Sequence, residues 1–316
     1  MAAAARLAMR ARPLSRPNPG VAAIAVKDGR VCARGWTRAK GRPHAEADML
    51  ADLGSDALQR STVYVTLEPC AHESERGPAC SDLLAAAKPE RVVIGTRDPD
   101  IRTSGKGVER LKHAGIAVQV LDHPTARASL TGYLCKEELG RPYVTLKLAM
   151  SLDGCIAMPD GSSQWITGKH ARAHVHAQRA RNDAILVGGG TWRADKPRLD
   201  VRLAGLEARS PQIVLLTRGV APDAVKVINK PAQIGELEGV LHLYAEGGAG
   251  AAASFLKADL VDEIHVYRAP IVIGDGLKGL SSIELGSLDE AHGRWRLYDR
   301  RQLGSDEFTA YLRIRS

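Results

Sequence analysis

The chain has 316 residues, 44% hydrophobic and 25% charged, with a formal net charge of +8; this suits two units, each burying a core without covalent staples. No apolar run approaches the roughly 20 residues of a membrane-crossing helix, and five cysteines are an odd number for a secreted disulfide framework. The cations are scattered and only 4% of residues are aromatic, which argues against a nucleic-acid surface and for small phosphorylated ligands.

The first twelve residues are rich in Ala and Arg, but the opening segment lacks the continuous apolar core of a targeting peptide and leads straight into Pro17-Asn18-Pro19. They predict a short opening helix and a cytoplasmic protein. Strands are then expected over 21–26, 62–67, 91–96 and 116–121, and helices over 44–53, 79–87, 107–115 and 125–139. That alternation predicts a layered α/β domain. Gly140-Arg141-Pro142 stops a helix and precedes a new strand, so domains of 1–140 and 141–316 are expected. The second carries strand-like runs starting at Tyr143, Ala184, Pro211, Gly239, Glu263 and Glu307, with helices over 168–181 and 249–258. Cys32, Cys135 and Cys155 sit in such runs and read as buried small hydrophobes.

The segments His44-Ala45-Glu46, Thr66-Leu67-Glu68-Pro69-Cys70 and Cys80 carry a different signal. A catalytic zinc takes three protein ligands and leaves one position for water, and one imidazole with two thiolates supplies that set. Bound Zn²⁺ lowers the pKa of water enough to give a nucleophile for an aromatic carbon bearing an amine. Such a reaction also needs a proton shuttle that is not a ligand, a role that fits Glu46. Residues i and i+2 lie roughly 200° apart on a helix, so His44 and Glu46 can meet only beyond the helix N-terminus. Pro69 predicts that Cys70 opens a helix whose dipole favours thiolate. Any one of these residues alone reads better as a surface histidine or a core cysteine; the ordered set does not.

In the second half, Ile185-Leu186-Val187 precedes three glycines, a strand entering a turn where backbone approaches a ligand closely. Leu243-Tyr244-Ala245-Glu246-Gly247-Gly248 does the same and opens a helix whose free N–H groups suit a phosphate. Neither matches the GxGxxG pattern, so a Rossmann domain is not supported.

Pro17-Asn18-Pro19, Pro43-His44-Ala45-Glu46, Thr66–Cys70, Asp98-Pro99-Asp100 and Gly105-Lys106-Gly107 resemble the deaminase half of the bifunctional riboflavin biosynthesis deaminase-reductases. Lys147–Gly154, Ser163–Gly168, Asp183–Gly188, Gly190-Thr191, Ala194-Asp195 and Glu246-Gly247-Gly248 resemble the reductase half. The two sets follow the family's order over nearly the whole chain. The resemblance implies a cytidine-deaminase-like three-layer α/β/α domain followed by a dihydrofolate-reductase-like α/β domain. It implies His44, Cys70 and Cys80 as Zn²⁺ ligands, Glu46 as proton donor and acceptor, Asn18 near the pyrimidine and the 98–107 loop near the phosphoribosyl group. NADPH would lie against Ala149, Trp165, Thr191, Asp195, Gly248, Ala249, Gly250 and Ala251. Ser163, Arg179, Leu199, Arg202 and Glu246 would hold the substrate, the arginines by their planar forks.

The implied activity is zinc-dependent deamination of 2,5-diamino-6-(5-phosphoribosylamino)pyrimidin-4(3H)-one, then NADPH-dependent reduction of its ribosyl to a ribityl chain. Partners would be small phosphorylated pyrimidines, with no nucleic acid and no membrane, in a homo-oligomer. The alternative is a zinc nucleoside or nucleic-acid deaminase with an accessory nucleotide-binding domain. The chain departs from the family at Arg16, at Ala22-Ala23, in the Ala71–Ala79 loop and at Lys196.

Overall fold

Small and β-branched residues alternate through the N-terminal strands, so that one side of each can lie flat under helices. The elements in order are α1 (Ala2–Ala8), β1 (Ala22–Lys27), β2 (Arg30–Trp36), α2 (Ala45–Leu50), β3 (Thr62–Val65), α3 (Cys80–Ala87), β4 (Arg91–Ile94), α4 (Lys106–His113), β5 (Ala117–Val120), α5 (Pro124–Ser129) and α6 (Thr131–Leu139). The computed structural model describes residues 1–51, 53, 57–72, 76–223 and 225–315. The chain divides into two units, Met1–Gly140 and Arg141–Ser316. Asp52 of the expected 44–53 helix and residues 73–75 of the 71–79 loop lie outside the described residues.

The first unit holds a five-stranded sheet in the order β2-β1-β3-β4-β5. β1 runs antiparallel to β2 and β3, and β3, β4 and β5 are parallel. Ala23, Ala25, Val63, Val65, Val92 and Ile94 pack with Ala45, Met49, Leu84, Val108 and Leu111 of α2, α3 and α4. Ile24 points the other way, toward Ala3 and Leu7 of α1, and α1 packs on α5. Helices therefore cover both faces, giving three layers. At Gly35 of β2 an added Cβ would lie 2.2 Å from the Ala45 carbonyl oxygen and 2.3 Å from the Met49 nitrogen. Glycine there lets α2 lie directly on the sheet.

The second unit contains β6 (Tyr143–Met150), β7 (Cys155–Ala157), α7 (Lys169–Arg179), β8 (Ala184–Gly188), α8 (Gly189–Asp195), β9 (Gln212–Leu216), β10 (Lys226–Ile228), β11 (His242–Ala245), α9 (Ala249–Lys257), β12 (Glu263–Arg268), β13 (Leu277–Lys278), β14 (Trp295–Leu303) and β15 (Asp306–Arg313). Its eight-stranded sheet runs β10-β9-β8-β11-β6-β12-β15-β14, with β13 and β7 in a separate ribbon. The strands from β10 to β12 are parallel, while β15 and β14 are antiparallel to their neighbours. Val144, Leu146, Leu186, Val214, Leu243 and Phe255 are central to its core. The second unit is thus an α/β domain built on one mostly parallel sheet with an antiparallel edge, in keeping with the α/β second domain expected.

Several local expectations change. β2 and β14 were not anticipated: they are edge strands rich in charge, most of whose residues are exposed, so they lack the one-sided pattern that marks a half-buried strand. Cys32 lies on β2 and is exposed rather than buried, whereas Cys135 and Cys155 are buried. The expected 125–139 helix breaks at Leu130, whose ψ of 7° leaves the helical range, into α5 and α6. The glycines after β8 begin α8 instead of a loose turn. Among the described residues no helix is long and apolar enough to cross a membrane.

Candidate active sites

His44 is the residue before α2, with extended backbone, and Glu46 lies in the first turn. Both therefore reach the region beyond the helix N-terminus. Cys80 opens α3. Cys70 does not open a helix: it sits in the irregular segment after β3, so the helix-dipole argument attaches to Cys80 instead. The adjoining Glu68 side chain turns away to accept N–H bonds from Gly105 and Val108, each at 3.2 Å, at the start of α4. Gly107 lies so close to the Pro69 carbonyl that a Cβ there would approach to 2.2 Å. The Pro69-Cys70 segment is thus held in place by α4.

His44 Nδ1 lies 3.6 Å from Cys70 Sγ and 3.4 Å from Cys80 Sγ, and the three ligand atoms lie within 4.8 Å of one another. A tetrahedral zinc with ordinary Zn–N and Zn–S bonds separates its nitrogen and sulfur ligands by about 3.6 Å. The residues fit the ion. The Cys70 thiol is lowered to about 4, chiefly by the hydrogen bond from the Cys80 thiol against the opposing effect of burial. The same bond, with burial, pushes Cys80 well up. The pair thus gives one thiolate readily, and a cation between them replaces the shared proton. Glu46 is 3% exposed, and its carboxyl is raised, first by burial and then by the charge of Cys70.

The Asn18 amide lies 3.5 Å from His44 Nε2. An imidazole bound through Nδ1 donates from Nε2, so the amide oxygen is the atom that belongs there. Asn18 also lines a cavity of about 350 Å³ with His44, Glu46 and Cys70. Asp98, Asp100 and Arg102 from the 98–107 loop share its wall, as do Arg42, His72 and Arg76. Arg102 belongs to the 98–107 loop that the resemblance placed near the phosphoribosyl group, whereas sequence reasoning missed Arg42, His72 and Arg76, which have no motif of their own. The Asp98 carboxyl is raised to about 6 by burial, although it accepts the Tyr133 hydroxyl at 2.7 Å and the Asp100 N–H at 3.0 Å.

In the second unit a cleft of about 740 Å³ is lined by Ala149, Ser163, Trp165, Arg179, Thr191, Asp195, Arg202, Glu246, Gly248 and Ala249. Gly250 and Ala251 line an adjoining groove instead. Leu199 lines neither: its side chain packs with Ile185, Val187 and Leu215, and its φ of 52° places its backbone in a conformation that non-glycine residues seldom adopt. Trp165 is 61% exposed, with the Arg172 guanidinium 4.8 Å from its ring centroid. Arg179 donates Nε–H to Glu246 Oε1 at 2.6 Å, Nη2–H to Oε2 at 2.9 Å and Nη1–H to the Asp200 carbonyl at 3.0 Å. Its fork is thus occupied by protein. Sequence reasoning also missed Lys147 as a site residue; it lines the cleft with Nζ 3.9 Å from Glu246 Oε2. Burial lowers the Lys147 ammonium, with Glu246 opposing.

A His/Cys/Cys centre with a buried carboxyl in one α/β unit, joined to a glycine-lined cleft in a second, defines a deaminase-reductase. Residues 1–96 match the profile described as the cytidine and deoxycytidylate deaminase zinc-binding region, and residues 142–307 match the RibD C-terminal domain. The riboflavin biosynthesis protein RibD of Aquifex aeolicus is 36% identical, over 90% of this chain and 91% of its own. That of Escherichia coli is 35% identical, over 90% of each. Among solved structures, Acinetobacter baumannii RibD superposes with a TM-score of 0.86 at 32% identity, covering 99% of this chain and 97% of its own. A diaminohydroxyphosphoribosylaminopyrimidine deaminase/5-amino-6-(5-phosphoribosylamino)uracil reductase from Thermotoga maritima gives 0.84 at 28%, with the same coverage. The chain belongs to the RibD family, a zinc deaminase and an NADPH reductase of riboflavin biosynthesis.

Proposed function

We propose that the unit Met1–Gly140 deaminates 2,5-diamino-6-(5-phosphoribosylamino)pyrimidin-4(3H)-one, and that Arg141–Ser316 reduces the ribosyl chain of the product to ribityl. The observation that carries this reading is the His44–Cys70–Cys80 set beside buried Glu46, opening on a cavity with cations in its wall. When bound by His44, Cys70 and Cys80, Zn²⁺ supplies the Lewis acidity that makes water a nucleophile near neutral pH. Glu46 takes the proton from that water and returns one to the departing amine; its raised pKa lets it do both. Asn18 fixes the ring of His44 and borders the pyrimidine. Arg42, His72 and Arg76 hold the phosphate, while the Arg102 fork is taken by the Asp100 carboxylate.

In the reductase cleft, bound NADPH supplies a hydride to C1′ of the opened ribose. Ala149, Trp165, Thr191, Asp195 and residues 248–251 hold the cofactor. Ser163 and Arg202 hold the phosphoribosyl chain together with the backbone at Leu199. Arg179 and Glu246 form the polar wall against which it lies. The reduction also consumes a proton, and Lys147, buried and with a lowered pKa, is placed to give it.

Product analysis with the diamino substrate tests both steps. Without NADPH the expected product is the ribosylated aminouracil, and with NADPH the ribityl compound. An intact exocyclic amine would overturn the deaminase assignment, and an unreduced ribosyl chain the reductase assignment.

We further infer a cytoplasmic homo-oligomer that does not bind nucleic acid. Five free thiols suit a reducing compartment, and Val272 and Leu288, 72% and 74% exposed, suit burial against a second copy. Light scattering tests the assembly. Salt-sensitive retention of RNA would contradict the last point.

A further inference from the structure

One wall of the reductase cleft is built by two segments that are far apart in sequence. Ile156 and Ala157 come from β7, while residues 277–281 come from β13 and the turn after it. The second segment has little of its own to hold it. Between Pro270 and Ser281 no residue is buried except Gly279, and Val272 is 72% exposed. With no side chain of the segment in a core, hydrophobic burial within the chain does not fix its position, and polar contacts do.

Backbone bonds supply part of the hold. The Leu152 N–H donates to the Ile271 carbonyl at 2.8 Å, and the Gly279 N–H to the Gly154 carbonyl at 2.9 Å. Leu277 pairs with Ala157 and Lys278 with Cys155. Gly276 fits so tightly that an added Cβ would lie 2.5 Å from the Ala157 carbonyl oxygen.

The rest comes from Asp153, in the turn between β6 and β7. Its Oδ2 accepts the Gly274 N–H at 2.7 Å. Its Oδ1 accepts the Ile273 N–H at 3.2 Å and the Ser151 hydroxyl at 2.5 Å. Among the described residues no other charged side chain from outside the segment bonds to it. The Ser151 hydroxyl, and then the Gly274 N–H, hold the carboxyl well below the usual carboxylate range. The acceptor therefore stays ionised, and bonds to an ionised acceptor are the strong ones. Asp153 itself does not line the cleft, so it acts on the cleft only through the segment it clasps.

We propose that Asp153 is a positioning residue of the reductase: by clasping Ile273 and Gly274 it holds residues 277–281 where hydride transfer needs that wall. This rests on reading the cleft as the site of reduction.

The test compares the full chain with Asp153→Ala and Asp153→Asn in two measurements. In amide hydrogen exchange read by mass spectrometry, peptides covering 271–281 should exchange at least about tenfold faster in both variants, while β6 and β12 keep their protection. In a single turnover of NADPH-loaded protein mixed with the ribosylated aminouracil, the rate constant should fall about tenfold or more, as small misplacements in an active site do. The amplitude, which counts folded sites, should stay the same. A merely structural role would instead lower the amplitude and spare the rate constant. Asp153→Asn keeps the shape of the side chain and one acceptor, and decides the matter if Asp153→Ala does not fold. Unchanged exchange over 271–281, an undiminished rate constant, or a loss of amplitude alone would overturn the assignment. Absence of NADPH oxidation in the unsubstituted protein would overturn the reading of the cleft, and the assignment with it.

Discussion

Arg179 and Glu246, 67 residues apart in sequence, meet as a two-pronged pair at 2.6 and 2.9 Å, with side chains 11% and 6% exposed. The pair joins the last turn of α7 to the residue after β11, and Lys147 approaches the same carboxylate from β6. Glu246 stays ionised because the hydrogen bond and charge of Arg179, and then the charge of Lys147, overcome the opposing effect of burial.

Glu246→Gln leaves two cations facing each other without their counter-charge. Removing one partner of a buried pair costs about 3–5 kcal/mol, so the second unit should melt earlier and NADPH oxidation should be lost. Scanning calorimetry beside a deaminase assay separates the two units. Unchanged melting would show that the pair is not a structural tie.

Metal removal should act on the first unit alone. Purified protein should hold about one zinc per chain, as one His/Cys/Cys set allows. Cys80→Ser should lower that occupancy and lose deamination, whereas Glu46→Ala should keep the zinc and still lose deamination. Metal analysis alongside ammonia release distinguishes the two roles. A zinc-loaded Glu46→Ala protein with full turnover would remove Glu46 from the chemistry.

The zinc set was readable because its chemistry is local: His44 and Glu46 sit two residues apart, and Cys70 follows a strand of alternating burial. The sheets were readable where apolar runs repeat, as in β6 and β8. What stayed hidden depends on distance or on edges. Arg42, His72 and Arg76 converge only after the first unit folds. Nothing in the sequence around Arg179 says that its fork is taken by Glu246. The charged edge strands β2 and β14 carry no one-sided pattern, and Leu199 gave no sign that its side chain belongs to the core.

The pH dependence of the first unit should carry the mark of Asp98. Its folded-state carboxyl titrates at about 6, above the roughly 3.9 of an unfolded chain. A raised value means that folding favours the protonated form. Stability from this group is therefore full below about pH 4 and is lost as pH rises through 6, by at most about 3 kcal/mol. Asp98→Asn retains an acceptor for Tyr133 without the buried charge. It should raise the melting temperature at pH 8 and leave it nearly unchanged at pH 4. Equal shifts at both values would show that desolvation of the carboxylate is not the cause.

The position of α2, and so of His44 and Glu46, should depend on Gly35. The atoms that an added Cβ would meet there, Ala45 O at 2.2 Å and Met49 N at 2.3 Å, are backbone, so no side-chain rotation relieves the clash. Helix α2 must lift from the sheet, carrying the imidazole and the carboxyl away from Cys70 and Cys80. Overpacking of this kind costs about 1–3 kcal/mol or more, and Gly35→Ala should lower both the stability of the first unit and its zinc occupancy. Gly29→Ala is the comparison, because nothing lies within 4 Å of its added Cβ and only a φ of +74° opposes it. It should cost about 1 kcal/mol and leave zinc binding intact. Loss of zinc in Gly29→Ala, or full zinc in Gly35→Ala, would show that contact between α2 and the edge strand does not set the ligand geometry.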